Sequence, residues 1–184
     1  MTRFLLAAAA VAALSAAPLV AQAQDAAPAA GPIAVQGDLV DTLKLSGRFN
    51  TFVGGIDATN LTGLLKTNKN LTVFAPTDSA FAAMPADKLA QLKSDKAAMQ
   101  RFVLHHVVNA PIDSSKIKGA KGPIPSGAGD TILLDGSDEG GKLKVDGATI
   151  VQADLHTGSG LLHVVDRVLV AGEGDAEAPA APAS

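Results

Sequence analysis

Apolar residues recur at intervals of three and four along the first half of the chain. Leu39, Val40 and Leu43 follow Asp38, whose carboxylate can cap a helix, and Gly47 breaks the run. Phe49, Phe52, Val53 and Ile56 repeat the spacing and predict a second amphipathic helix, weakened in its last turn by Gly54 and Gly55. Leu61, Leu64 and Leu65 predict a third, short one. Two more helices follow Pro85. The first covers Ala86 to Lys93 with Leu89 and Leu92 inward. The second starts at a Ser94 or Asp95 cap, carries the stripe Met99, Phe102, Val103 and His106, and ends at Asn109 and Pro111.

Between these helices lies the stretch around which the rest is organised, Asn70 to Pro85. Leu71, Val73 and Phe74 read as a short buried strand. Pro76 ends it, having no N–H for a ladder. Thr77 can then cap a helix, Asp78 places negative charge at the positive end of its dipole, and Ala80, Phe81 and Met84 follow at helical spacing.

The period changes in the last third. Asp113 to Gly129 reads as a loop, and its lysines 116, 118 and 121 as a solvated cluster. Thr131 to Leu134 is a strand, and Leu143 and Val145 alternate with lysines in the next. Asp146-Gly147 is a hairpin signal, because both residues tolerate positive φ. Ala148 to Leu155 returns, Thr157 to Gly160 turns again, and Leu161 to Val170 is apolar enough to predict burial on both faces. Helices in the first half and strands in the second predict an α+β fold.

Composition narrows what such a fold can do. The chain has 184 residues, enough for one domain with a sizeable core. Residues 1–23 read as a secretory signal peptide: Arg3, a short apolar run from Phe4 to Ala17, and a cleavage site at Ala21-Gln22-Ala23. The run is too short to span a bilayer. Residues 24–36 read as an Ala/Pro-rich flexible leader and residues 172–184 as a disordered tail. There is no Cys, which excludes a lipid-modified cysteine and a disulfide framework. The net charge of −3 becomes one unit more acidic when Arg3 is removed, which argues against nucleic-acid binding. Trp and Tyr are absent, so the usual aromatic anchors of interfaces are missing.

No catalytic pattern stands out. The chain has no G-x-S-x-G elbow, phosphate-binding glycine loop or H-E-x-x-H, and His156 and His163 are too loosely spaced to suggest a metal site. His106 sits on an apolar helical stripe, where a hydrogen-bonded core histidine is expected. His105, about 100° further round, is expected at the rim. His163 and Asp166 have odd spacing, which puts them on opposite faces of a strand and predicts buried hydrogen bonds rather than an acid–base pair.

Three blocks carry a family resemblance. TVFAPTDSAF, from Thr72 to Phe81, resembles the first conserved block of the fasciclin (FAS1) domain, GLLHVVDRVL from Gly160 to Leu169 resembles the second, and LHHVV from Leu104 to Val108 is similar to the Tyr-His segment between them. The domain would run over residues 37–171. The resemblance implies a compact β-sandwich or wedge with N-terminal helices packed along one side. It implies a structural motif of Thr77, Asp78, Phe81, His163 and Asp166, and it makes His105, His106, Val107 and Val108 candidate binding residues. In the family the position of His105 is commonly Tyr, within a segment linked to integrin adhesion in animal members; here it is His, and there is no Arg-Gly-Asp. The function implied is that of a secreted or periplasmic, non-enzymatic binding module. It would act in cell adhesion or in extracellular matrix or envelope interaction, as a monomer without a cofactor or metal and not spanning the membrane after cleavage. The alternative is a carrier of an apolar ligand such as a carotenoid, a role some microalgal members have.

Overall fold

The computed structural model describes residues 31–137 and 141–170. The expected signal peptide with Ala21 and Ala23, residues 24–30 of the leader and the expected tail lie outside the described residues.

Three helices open the domain: α1 (Leu39–Ser46), α2 (Asn50–Ala58) and α3 (Thr62–Thr67). Gly47 stops α1 by taking the left-handed conformation (φ 65°) and returning its N–H to Lys44. Phe49, Phe52 and Ile56 are buried on the stripe that the spacing predicts. Strand β1 (Leu71–Pro76) ends at its proline. Helix α4 (Asp78–Ala82) follows, capped by Thr77, whose hydroxyl accepts from the Ala80 N–H. Then come α5 (Ala86–Ser94) and α6 (Lys96–His105), the latter capped by Asp95 through the N–H groups of Ala97 and Ala98.

Helix α6 stops short of the expected Asn109. Val107 and Val108 leave it to form strand β2 (Val107–Val108), antiparallel to β1. Two β-branched residues that fit the buried edge of β1 override the helical period. The segment expected as loop holds a short helix, α7 (Ser114–Ile117), and strand β3 (Lys121–Pro125). Pro123 and Pro125 hid this strand from the sequence reading. They are tolerated because β3 is at the edge of the sheet, where an N–H is dispensable. Strands β4 (Thr131–Asp135), β5 (Lys144–Val145), β6 (Ala148–Thr157) and β7 (Gly160–Val165) complete the fold. Asp146 and Gly147 join β5 to β6, both with positive φ (45° and 74°), as a type I′ turn requires. Strand β7 ends at Val165, five residues before the Val170 expected.

The described strands form one sheet in the order β2-β1-β7-β6-β5-β4-β3. All neighbours are antiparallel except β1 and β7, which run parallel in register from Leu71↔Gly160 to Pro76↔Val165. This central pair is buried on both faces, and its alternation divides the core in two. Leu71, Val73 and Ala75 of β1, with Leu162 and Val164 of β7, face the helices. Phe74 and Val165 face the other way, against Ile132, Leu134, Val145 and Ile117. The helices therefore cover one face while the outer strands fold over the other.

The packed domain begins before residue 37. Ile33, assigned to the leader by composition, is buried, and its N–H and C=O bond the side-chain amide of Gln152.

Candidate functional site

Histidines decide most of the chemistry open to this domain, and three of the four are buried. His105 is the last residue of α6. Its Nδ1 lies 2.8 Å from Asp130 Oδ1 and its Nε2 3.1 Å from Asp146 Oδ2. With a carboxylate on each nitrogen, the ring must donate twice, so the charged imidazolium is the form that fits. Burial alone would lower its pKa. Hydrogen bonds to Asp146 and Asp130 outweigh burial and raise it above the ordinary histidine value. Asp130 is itself held below the carboxylate range: burial opposes this, but hydrogen bonds from Ser126 and His105 prevail. Asp146 uses its other oxygen, Oδ1, to accept from the Leu133 N–H at 2.7 Å. The cluster ties the end of α6 to the β3–β4 and β5–β6 turns.

This corrects the expectation that His105 reaches the rim: the residue is only 2% exposed. The two acids that draw it inward come from turns 25 and 41 residues away, and no helical-wheel argument could place them.

His106 is wholly buried against Phe52 and Phe102, with ring centroids 5.6 and 4.4 Å away. Its Nδ1 donates to the Phe102 carbonyl at 2.8 Å, and its Nε2 accepts from the Leu169 N–H at 3.0 Å. This fixes one neutral tautomer, and burial pushes its pKa down to about 3. His163 stacks on Phe74 at 5.4 Å. Its Nε2 donates to the Ile112 carbonyl at 2.7 Å and its Nδ1 accepts from the Asp154 N–H at 3.3 Å. Burial likewise lowers its pKa. Each buried histidine thus has both nitrogens engaged with the protein.

Asp166 is exposed, against the expectation of a buried hydrogen bond. Because β7 ends at Val165, Asp166 turns out and caps the return of β6 instead, its carboxylate accepting from the Thr149 N–H at 2.8 Å. Val107 and Val108 are buried in β2, so the segment His105 to Val108 offers no exposed side chain for recognition. The lysines expected as a solvated cluster are partly paired: Lys116 with Asp113, and Lys121 with Asp135.

A different feature faces solvent. Helices α5 and α6 and the segment after β7 enclose a cleft of about 490 Å³. Lys88 and Leu92, four apart on α5, line one wall with Met84 just before that helix, and Ala98, Arg101, Phe102 and His105 of α6 line the other at offsets of zero, three, four and seven. Leu169 and Val170 close it, and the volume falls within the range of small-molecule sites. Sequence reasoning found the inward stripe of α6 but missed this second stripe, because Arg101 and His105 interrupt it.

A family model described as the fasciclin domain matches residues 47–171, well over half of the sequence. The chain belongs to the fasciclin domain family. Among its relatives is protein sll1483 of Synechocystis, 34% identical over 66% of this chain and 67% of that protein. The immunogenic protein MPB70 of Mycobacterium bovis is 28% identical over 76% of this chain and 74% of its own length. The cell surface glycolipoprotein MPB83 of the same species is 31% identical over 70% of this chain but 53% of its length. In fold, the domain is similar to a solved FAS1 domain pair from the insect cell adhesion molecule fasciclin I. The TM-score is 0.56 at 18% identity, covering 68% of this chain and under half (46%) of that one. Within this fasciclin domain the first and last blocks form the parallel β1–β7 pair, and the middle block supplies His105, His106 and β2.

Proposed function

We propose that this fasciclin domain is an exported, non-enzymatic binding module that works in cell adhesion or in contacts with extracellular matrix or envelope components. The observation that carries the reading is kinship: the chain belongs to a family that includes a FAS1 pair of an insect cell adhesion molecule and a mycobacterial cell surface glycolipoprotein. The engagement of all three buried histidines supports a structural rather than catalytic use of them. Export rests on the sequence of residues 1–23, and no helix among the described residues is long and apolar enough to cross a membrane. The partner is a protein or envelope component outside the cell, engaged by surfaces other than the buried His105–Val108 segment. Purified domain should be retained on envelopes from its own host, and a deletion strain should attach to surfaces less well than wild type. Equal attachment with no retention would overturn the reading.

A second reading, carriage of an apolar ligand such as a carotenoid, is favoured by the α5/α6 cleft and its apolar lining of Met84, Leu92, Phe102, Leu169 and Val170. Neither Trp nor Tyr is present, so a co-purifying chromophore would dominate the absorption spectrum of protein taken from its own host. A spectrum without such a band, together with no uptake of added carotenoid, would remove that ligand.

A further inference from the structure

The charges around the α5/α6 cleft are unequally used. Asp95 caps α6 with one oxygen, Oδ1, which accepts from Ala97 and Ala98 at 2.8 and 3.2 Å. Asp130 is occupied by His105 and Ser126. His105 in turn has both nitrogens on acids. Lys88 and Arg101 are different. Both line the cleft, both are exposed, and neither has an ion pair or hydrogen bond among the described residues. The cleft thus carries two cations without a partner among the described residues, one on each wall.

We propose that the cleft binds a single-chain anionic amphiphile, an acyl carboxylate, with its chain on the apolar lining and its headgroup held by Arg101 and Lys88. The inference rests on the carrier reading above and adds a headgroup to it. A guanidinium matches a carboxylate with two parallel N–H donors, and Lys88 adds a second, mobile charge. The chain displaces water from Phe102, Leu92 and Met84, which supplies the non-directional part of the affinity. A neutral polyene would gain the second contribution without the first.

The test uses cis-parinarate, a fluorescent polyene carboxylate, and its uncharged methyl ester. The chain has neither Trp nor Tyr, so probe emission is read with little background from the protein. The acid should bind about tenfold more tightly than the ester, the effect of one charge-assisted pair at a partly exposed site. Arg101→Gln should remove most of that difference and leave ester binding unchanged. Ala98→Phe, which narrows the wall, should weaken both. High salt should weaken the acid only. If acid and ester bind equally and Arg101→Gln changes neither, the headgroup proposal is overturned while the carrier reading stands. If neither binds, both are overturned. Circular dichroism of each variant excludes loss of fold as the cause.

Discussion

The carboxylate of Asp78 accepts the backbone N–H of Thr51 at 2.8 Å, so the first residue of α4 caps the start of α2. Its other oxygen takes the Asn50 N–H at 3.1 Å. The sequence suggests that Asp78 serves its own helix. Instead Thr77 caps α4, and Asp78 supplies the acceptor that α2 lacks, because Phe49 at the α2 cap position has none. Asp78→Ala should therefore cost about 1–2 kcal/mol, the range of a lost N-cap. Burial works against its charge, yet the bonds from Thr51 and Asn50 hold its pKa below the usual carboxylate value. A depressed pKa gives stability that is complete above about pH 4 and is lost as pH falls through the folded-state value. The gap between wild type and Asp78→Asn in urea denaturation should shrink from pH 7 to pH 3. A constant gap would show that the charge is immaterial.

His105 and His106 are adjacent, with ring centroids 6.0 Å apart, yet they bend the pH profile in opposite directions. The pKa of His105 is raised, so its contribution is complete below about pH 6.5 and fades as pH rises through its folded value. The pKa of His106 is pushed down to about 3, so below pH 6.5 the unfolded chain takes up a proton that the folded chain refuses. Its contribution then falls by about 1.4 kcal/mol per pH unit as acid is added. Stability should peak near neutrality. In an NMR titration, the His105 ring should stay doubly protonated to a higher pH than an ordinary histidine and so be charged at pH 6, where His106 should be a neutral Nδ1–H tautomer. A neutral His105 ring at pH 6 would refute the clamp with Asp130 and Asp146.

The parts of this fold legible in the sequence are those set by local period and turn chemistry. The stripes of α2 and α6, the Thr77 cap and the Asp146-Gly147 turn depend on residues a few positions apart. What was missed depends on distant partners. His105 is buried because Asp130 and Asp146 reach it from two turns, and Asp146 read locally was only a hairpin residue. Strand β3 exists because β4 pairs with it from Lys121↔Asp135 to Pro125↔Thr131, although its prolines argue locally against a strand. The two walls of the cleft belong to separate helices, and only their packing sets Lys88 and Arg101 at the same opening.

Phe81 tests the placement of the first conserved block. It is 2% exposed, stacks obliquely on Phe102 at 5.7 Å, and packs in the helix-side core. Phe81→Ala should cost about 3–5 kcal/mol, the loss for a large ring whose cavity closes only in part. Phe81→Leu should recover more than half of that. A loss under 1 kcal/mol for the alanine variant would mean that α4 does not pack as described.

Gly136 couples α7 to the end of β4 through close backbone approach. Its N–H bonds the Ala120 carbonyl at 2.9 Å, and its own carbonyl takes the Gly119 N–H at 3.0 Å. A Cβ at this position would stand 1.8 Å from the Ile117 carbonyl oxygen. No rotamer relieves that contact, since both atoms are fixed to backbone, so Gly136→Ala must push α7 away from the strand. Ile117 is fully buried in the outer core, and shifting it disturbs the packing on Ile132 and Val145. Overpacking of this kind costs about 1–3 kcal/mol, and the upper end is expected here. Gly122→Ala in β3 is the matched control: a Cβ there meets nothing within 4 Å, and the change should stay within about 0.5 kcal/mol. Equal stability of the two variants in urea denaturation would show that α7 and β4 do not approach this closely in solution.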